Sequence, residues 1–162
     1  RKLKVTELNR LTPEAFKESK KIPLIVVLDH VRSLNNVGSV FRTSDAFRVE
    51  AIIFVVLRLA LRTRRSIDRF GAEETVDWEY FKDTPEAVDK LRQEGIGIAV
   101  EQAEGSVMLD NLQLDKTKKY AIVMGNEVKG VQQNVVDNCD ICIEIPQYGT
   151  KHSLNVSVTT GM

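Results

Sequence analysis

The sequence predicts an α/β domain built on a mainly parallel sheet, with helices on both of its faces. Five short apolar runs, rich in β-branched residues, show no alternation with polar residues, which is typical of strands buried on both sides. Helix-like stretches lie between these runs, and such alternation favours parallel strand pairing. The five runs are residues 25–28, 52–56, 96–100, 121–124 and 141–145.

Two helix starts share one signature. Residues 12–14 and 84–86 each place a threonine N-cap before a proline and a glutamate. The threonine hydroxyl satisfies a free backbone N–H, proline suits the first turn, and the acid complements the helix dipole. Residues 37–47 and 131–138 supply two further helical stretches, so helices alternate with the predicted strands along the chain.

The size and charge of the chain limit what it can be. Its 162 residues with 43% hydrophobic content predict one domain, residues 1–162, in which residues 1–21 form a short helical extension. Lys and Arg number 23, as do Asp and Glu, so capture of a nucleic acid would depend on local clusters. The sequence shows no signal segment and no run of about 18 apolar residues, so we predict a cytoplasmic protein without a membrane contact.

Three polar segments lie at the ends of predicted strands, where open α/β sheets hold their ligands. Residues 35–47 come after the first strand, residues 125–131 continue the fourth, and residues 145–158 follow the fifth. The last segment joins a Pro/Gly loop to short hydrogen-bonding side chains, and a single N-cap such as Ser153 accounts for only part of it. Such a loop is suited to holding a polar ligand against exposed backbone.

In this order, residues 35–47, 122–131 and 145–158 resemble the three signature motifs of the SpoU (TrmH-like) branch of the SPOUT RNA methyltransferases. One motif alone would be a weak signal, but three in sequence, each at a strand end, are specific. The resemblance extends over residues 24–162. It implies the SPOUT fold with its C-terminal trefoil knot, a feature that pattern rules alone would reject. It also implies a homodimer that transfers a methyl group from S-adenosyl-L-methionine to a ribose 2′-hydroxyl of tRNA or rRNA.

The resemblance also assigns the residues of the site. Arg42 matches the residue at the ribose or phosphate end. Asn36 and Glu127 match residues that shape and support the catalytic pocket. Ser153 and Asn155 match residues that align substrate and donor. The matching positions for binding the methyl donor, through backbone groups, are Gly125, Ile145 and Leu154.

The role of Arg42 stays open between two chemistries. As a general base it would have to give up a proton, and deprotonating an ordinary guanidinium at neutral pH costs about 8 kcal/mol. As a cation it would stabilise the developing alkoxide while the proton passes to phosphate or water. Both alternatives make Arg42 indispensable for transfer.

Three features depart from the family pattern. Arg48 stands where a glycine is common, and arginines within residues 58–69 replace a Gly/Pro loop. These arginines recur at helical spacing, so they would share one face that either contacts a polyanion or is solvated. The four on this face are Arg58, Arg62, Arg65 and Arg69. Met162 stops just beyond the third motif, where the family continues into a helix, so we expect that helix to be truncated.

Other site chemistries find weaker support. Residues 95–100 begin like a dinucleotide fingerprint, but the third glycine is missing and the glycines precede the strand. We interpret them as a helix end and a strand entry. Zinc binding would have to gather its ligands from three distant segments, so we predict no metal. Those ligands would be Cys139, Cys142, His30 and His152.

Two other functions remain as alternatives to methyl transfer. A non-catalytic RNA-binding module that retains the SPOUT fold would fail to bind the methyl donor. A nucleotide-linked oxidoreductase would be stabilised against heating by a nicotinamide cofactor.

Overall fold

The structure is a computed structural model that describes residues 1–55 and 74–162. The strands in these residues are β1 (Ile22–Asp29), β2 (Val49–Val55), β3 (Asp77–Phe81), β4 (Ile96–Val100), β5 (Val107–Met108), β6 (Tyr120–Met124) and β7 (Ile141–Glu144). The helices are α1 (Pro13–Glu18), α2 (Leu34–Ala46), α3 (Thr84–Glu94), α4 (Gln133–Asn138) and α5 (Val156–Gly161). Two short 3-10 turns are Val5–Glu7 and Leu109–Asn111.

The described strands form one sheet in the order β3-β2-β1-β6-β4-β7-β5, and all neighbouring pairs are parallel. The predicted parallel α/β architecture is therefore confirmed. All five predicted strands are present, with ends that shift by at most three residues, and residue 56 lies outside the described part. Strands β3 and β5 were not predicted from the sequence, and each closes one edge of the described sheet.

Helices cover both faces of the sheet, as predicted, because the side chains of β1 alternate between two cores. Val26 and Leu28 pack with residues of α1, α2 and α5 on one face. Ile25 and Val27 pack with residues of α3 and α4 on the other. Both faces of β1 are thus buried, which explains its continuous apolar run.

The helix-start signature is correct at α1 and displaced at α3. Thr12 accepts a hydrogen bond from the first turn of α1 over 3.2 Å, as predicted. The predicted cap of α3, Thr84, is wrong, because Asp83 accepts from the Glu86 N–H at 3.1 Å. Thr84 is instead the first residue of the helix, and its hydroxyl donates to the buried carboxylate of Asp29.

Residues 95–100 form the helix end and strand entry that the sequence predicts. Helix α3 ends at Glu94, and β4 begins at Ile96. A Cβ on Gly95 would lie 2.5 Å from the carbonyl oxygen of Lys119, just before β6. Glycine is needed there because the two backbones approach more closely than a side chain allows.

The arginine face, the knot and the domain organisation stay predictions. The arginine face of Arg58, Arg62, Arg65 and Arg69 lies outside the described residues. The trefoil knot and the single-domain organisation are implied only by the sequence. Among residues 1–55 and 74–162, no helix is both long and apolar enough to cross a membrane.

Candidate active site

Asn36 connects the three motif segments at the carboxyl edge of the sheet. Its amide nitrogen donates to Oε1 of Glu127 at 3.0 Å, and its amide oxygen accepts from Nδ2 of Asn155 at 3.1 Å. Because a carboxylate can only accept, these partners determine which way the Asn36 amide is turned. The partners lie 91 and 119 residues away along the chain, so only folding brings them together.

The carboxylate of Glu127 is held against the N-terminal end of α2. Its oxygens accept the backbone N–H groups of Arg32 at 3.1 Å and Ser33 at 3.0 Å, besides the Asn36 amide. Burial raises the pKa of Glu127, but the hydrogen bonds from Ser33, Arg32 and Asn36 outweigh it, so the net pKa is below its ordinary value of 4.5. Glu127 is therefore ionised at neutral pH and complements the helix dipole.

We expect Glu127→Gln to lower the free energy of unfolding at pH 7, with a difference from wild type that disappears in acid. A carboxyl group with a lowered folded-state pKa contributes stability above its unfolded value of 4.5, and this contribution is lost as the pH falls through the folded value. Urea unfolding at a series of pH values measures the difference. Glu104→Gln, at an exposed position, is the control, and a gap that stays constant down to acid pH would contradict the prediction.

Asn155 begins helix α5 and thereby orients its own amide toward Asn36. Its Oδ1 accepts from the N–H and the hydroxyl of Ser157 at 2.8 and 2.6 Å, and from the Val158 N–H at 3.3 Å. This bonding makes Asn155, and not Ser153, the N-cap of the helix. Since Oδ1 is engaged by the helix, Nδ2 is left to donate across to α2.

The loop of the second motif folds back tightly on itself. The backbone groups of Asn126 and Gly130 exchange hydrogen bonds of 3.0 and 2.9 Å, and Nδ2 of Asn126 donates to the carbonyl of His30 at 2.8 Å. A Cβ on Gly125 would lie 2.2 Å from the carbonyl carbon of Gly130 and 2.3 Å from the nitrogen of Val131. Real Cβ atoms do not come this close to backbone, so the loop requires glycine at position 125.

A buried carboxylate, which the sequence reasoning missed, anchors the end of this loop. Asp29 is 0% exposed at the end of β1. Its oxygens accept from the N–H and Nε2 of Gln132 at 3.1 and 3.0 Å, and from the Thr84 hydroxyl at 3.3 Å. The signal in the sequence was an aspartate at the end of an apolar run. A carboxylate in such a place is buried only if it has hydrogen-bond partners, so it predicts a set of donors around it.

Asp29→Ala is expected to lower the free energy of unfolding by about 1–3 kcal/mol. The substitution leaves the Gln132 N–H without its acceptor, while Nε2 of Gln132 still reaches the Thr84 hydroxyl at 3.1 Å, and one unsatisfied buried group has a cost of that size. Urea denaturation measures the loss, with Asp110→Ala at an exposed position as the control. Equal stability of the two variants would contradict the assignment of Asp29 as an anchor.

A cavity of about 580 Å³ opens beside these groups, at the ends of β4, β6 and β7. Its walls include six of the eight residues that the sequence assigns to the site. These six are Gly125, Glu127, Ile145, Ser153, Leu154 and Asn155. Asn36 reaches the cavity through its hydrogen bonds to two of them. Seven predicted residues are thus brought to one place.

Arg42 is the predicted residue that the structure leaves apart. It is exposed on α2, six residues after Asn36, which corresponds to about 9 Å along a helix axis. It does not line the cavity, and its side chain has no hydrogen bond or ion pair with any residue of the described ranges. Its charge is therefore not neutralised by the described part of the fold.

The two cysteines are free thiols at the junction of α4 and β7. Burial raises the pKa of Cys139 to about 11, and burial likewise raises the pKa of Cys142. Both are protonated at neutral pH, which disfavours their use as nucleophiles.

Across the part of the chain that the structure describes, no group of three or more His, Cys, Asp or Glu side chains is arranged to hold a metal ion.

These features define the class of protein. A parallel sheet with a cavity at its carboxyl edge, walled by a glycine loop and by two residues that both bond to Asn36, is a ligand-binding α/β domain. Comparison with known proteins narrows this class. The SpoU rRNA Methylase family model matches residues 23–162, and the chain belongs to that family. The resemblance of the three motifs is thereby confirmed.

Curated relatives show the same similarity. The chain is 32% identical over 151 residues to the 23S rRNA (guanosine-2′-O-)-methyltransferase RlmB of Pseudomonas aeruginosa, an alignment covering 92% of this chain and 60% of that protein. It is 33% identical over 141 residues to the protein of the same name from Neisseria meningitidis, covering 86% and 56%. The chain thus spans between half and two thirds of the length of these relatives.

Solved structures of similar proteins share the fold. The TrmH/SpoU tRNA modifying enzyme of A. aeolicus superposes with a TM-score of 0.76 at 30% identity, covering 92% of this chain and 75% of that one. The AdoMet-bound rRNA methyltransferase of Sinorhizobium meliloti superposes with a TM-score of 0.73 at 26% identity, covering 92% and 56%.

Proposed function

We propose that this chain transfers a methyl group from S-adenosyl-L-methionine to a ribose 2′-hydroxyl of tRNA or rRNA. The observation that carries the proposal is the hydrogen bonding of Asn36 to both Glu127 and Asn155, which lie on the wall of a cavity at the carboxyl edge of the sheet. The names of the relatives, which describe RNA 2′-O-methylation and tRNA modification, support the same reaction and substrate.

The cavity suits the proposed methyl donor in size and charge. About 580 Å³ falls within the range of pockets that hold small molecules. When bound, S-adenosyl-L-methionine supplies an activated methyl group on a positively charged sulfur, and the carboxylates of Glu101 and Glu144 on the cavity wall complement that charge. Gly125, Ile145 and Leu154 would hold the donor through their backbone groups.

The protein has to align the 2′-oxygen with the methyl carbon and to assist departure of the hydroxyl proton. The amide of Asn155 is held in place by α5 and Asn36, which supports a role in alignment. Ser153 lines the cavity and forms no hydrogen bond with a described residue, so its hydroxyl is available to substrate. Arg42, exposed and unneutralised, has its charge available for the ribose or phosphate of the RNA.

We extend the proposal to a homodimer located in the cytoplasm. Helices α2 and α5 contact each other, and apolar side chains on α5 and directly after each helix are exposed to solvent. Phe47, Val158 and Met162 are the exposed residues that support a contact between subunits. The trefoil knot and a single domain over residues 1–162 belong to the same proposal. The transfer chemistry requires no metal ion.

Incubation of the complete protein with radiolabelled S-adenosyl-L-methionine and total RNA tests this function. We expect label at a ribose of tRNA or rRNA, located by the resistance of the adjoining phosphodiester to alkaline hydrolysis. Label on a base instead of a ribose would contradict the proposal. A parallel calorimetric titration with the donor tests the alternative of a non-catalytic RNA-binding module, which would bind RNA but not the donor.

A further inference from the structure

Tyr148 and Val128 are exposed side chains at the rim of the cavity. They are 97% and 90% exposed, the highest values among the large hydrophobic residues of the described chain. Val128 lines the cavity, and Tyr148 follows Gln147, which lines it as well. A single exposed ring is ordinary on a protein surface, so the groups around Tyr148 decide what it can bind.

Cationic and hydrogen-bonding side chains that have no partner among the described residues lie on the loop that carries Tyr148 and on the loop of the second motif. Lys151 lies three residues after Tyr148 on the same loop, and Lys129 lines the cavity on the opposing loop. Neither ammonium group has a hydrogen bond or ion pair with any residue in the described ranges, and the same holds for the imidazole of His152. These groups are therefore free to meet an anion.

The acidic residues of the cavity wall are, by contrast, each engaged. Glu101 accepts the N–H of Val131 at 2.9 Å, and Glu144 accepts the hydroxyl of Ser106 at 3.0 Å. Glu127 accepts three hydrogen bonds from the start of α2. These carboxylates keep their charge, but none of them pairs with Lys129 or Lys151, so both ammonium groups remain available to an anion.

The surroundings of Tyr148 fit a planar anionic partner better than a protein surface. Its chain neighbours are glycine or polar, so its own loop adds no further apolar side chain of the kind that enlarges a subunit contact. These neighbours are Gln147, Gly149, Thr150 and Lys151. The ring is 97% exposed, and a Cβ built on the adjacent Gly149 would have no atom of a more distant residue within 4 Å. An aromatic face in open space beside cations is the arrangement that binds single-stranded nucleic acid.

We propose that Tyr148 is a stacking platform for an unpaired RNA base at the mouth of the cavity, with Lys129 and Lys151 on the flanking phosphates. The inference rests on the proposed function, in which RNA is the substrate. It adds that the target nucleotide lies in a single-stranded loop or end, because a paired base cannot reach the ring.

Fluorescence anisotropy with two labelled probes tests the proposal in the complete protein. One probe is a single-stranded oligoadenylate, and the other is an abasic ribose-phosphate oligomer of the same length. We expect Tyr148→Ala to weaken binding of oligoadenylate about tenfold, since base–aromatic stacking contributes on that scale. Binding of the abasic oligomer should not change, and Tyr148→Phe should retain wild-type affinity for both probes.

Lys151→Ala should weaken binding of both probes, with an effect that shrinks as salt rises. Leu114→Ala and Lys116→Ala are the matched controls, because both positions are exposed on the segment that leads into the opposite end of β6. Equal affinity of Tyr148→Ala and wild type for oligoadenylate would overturn the proposal. A second result would also overturn it: sedimentation shows that Tyr148→Ala dissociates a dimer while the affinity for RNA stays unchanged. Tyr148 would then contact a second copy of the chain and not RNA.

Donor titration and methyl transfer to total RNA separate this inference from the proposed function. Wild-type protein that binds oligoadenylate through Tyr148 but neither binds the donor nor transfers a methyl group would refute the function and support the stacking platform. The converse result is wild-type protein that transfers methyl groups while Tyr148→Ala changes neither oligoadenylate binding nor the KM for RNA. That result would support the proposed function and refute the stacking platform.

Discussion

Gly125→Ala is expected to abolish methyl-donor binding and to destabilise the protein severely. The added Cβ would stand 2.2 Å from the carbonyl carbon of Gly130 and 2.3 Å from the nitrogen of Val131. Both atoms are backbone, so relief requires the loop to move, and the loop forms one wall of the cavity. Overpacking of this kind costs about 1–3 kcal/mol and more where the neighbour cannot shift. Calorimetric titration with the donor and urea unfolding measure the two effects.

Gly149→Ala is the matched control for this prediction. The residue lies on the other cavity loop, and a Cβ there would meet nothing within 4 Å. We expect donor affinity and stability close to wild type. If Gly125→Ala behaves like Gly149→Ala, the close approach of the two backbone segments is not a property of the folded protein.

Arg42→Ala is expected to reduce methyl transfer by at least about a hundredfold while leaving donor affinity nearly unchanged. Loss of a positioned charge that stabilises a developing oxyanion typically has an effect on kcat of about this size or larger. Donor affinity should persist because Arg42 is exposed on α2 and does not line the cavity. A radiolabel transfer assay and a calorimetric donor titration give the two quantities.

Two further variants sharpen the test of Arg42. Arg10→Ala removes another exposed arginine and should leave both quantities unchanged. Arg42→Lys retains the charge but loses the planar fork that contacts ribose or phosphate through two donors, so we expect partial activity. Equal loss of donor binding and transfer in Arg42→Ala would place the residue in donor binding and would contradict the prediction.

The strands that could be predicted are those in the middle of the sheet. Strand β1 has neighbours on both edges and helices on both faces, so it requires an unbroken apolar run that is visible in the sequence. Strand β3 pairs only with β2 in the described sheet, and its polar and apolar residues alternate over just four positions, from Asp77 to Tyr80. Strand β5 has only two residues. Edge strands of these kinds leave little signal in composition.

The helix N-caps could not be assigned from residue type alone. Asp83 and Thr84 are adjacent, and both are residue types that cap helices. Which of the two caps α3 depends on the fold. The Thr84 hydroxyl donates to the Asp29 carboxylate, and Asp83 accepts the free N–H of Glu86 in the first turn of α3. In the third motif both Ser153 and Asn155 are residue types that cap helices, and Asn155 is the cap, with its side chain bonded both to α5 and to Asn36.

The sequence by itself determined the parallel α/β architecture, the family, and seven residues that assemble around one cavity. It could do so because the apolar runs of buried strands and the polar residues at strand ends are visible in short stretches of sequence. Only the tertiary structure decided that Asn36 bonds to Glu127 and Asn155, that Asp29 anchors Gln132, and that Arg42 lies outside the cavity. These contacts join residues about a hundred positions apart, and their geometry depends on how β1, α2 and α5 pack together.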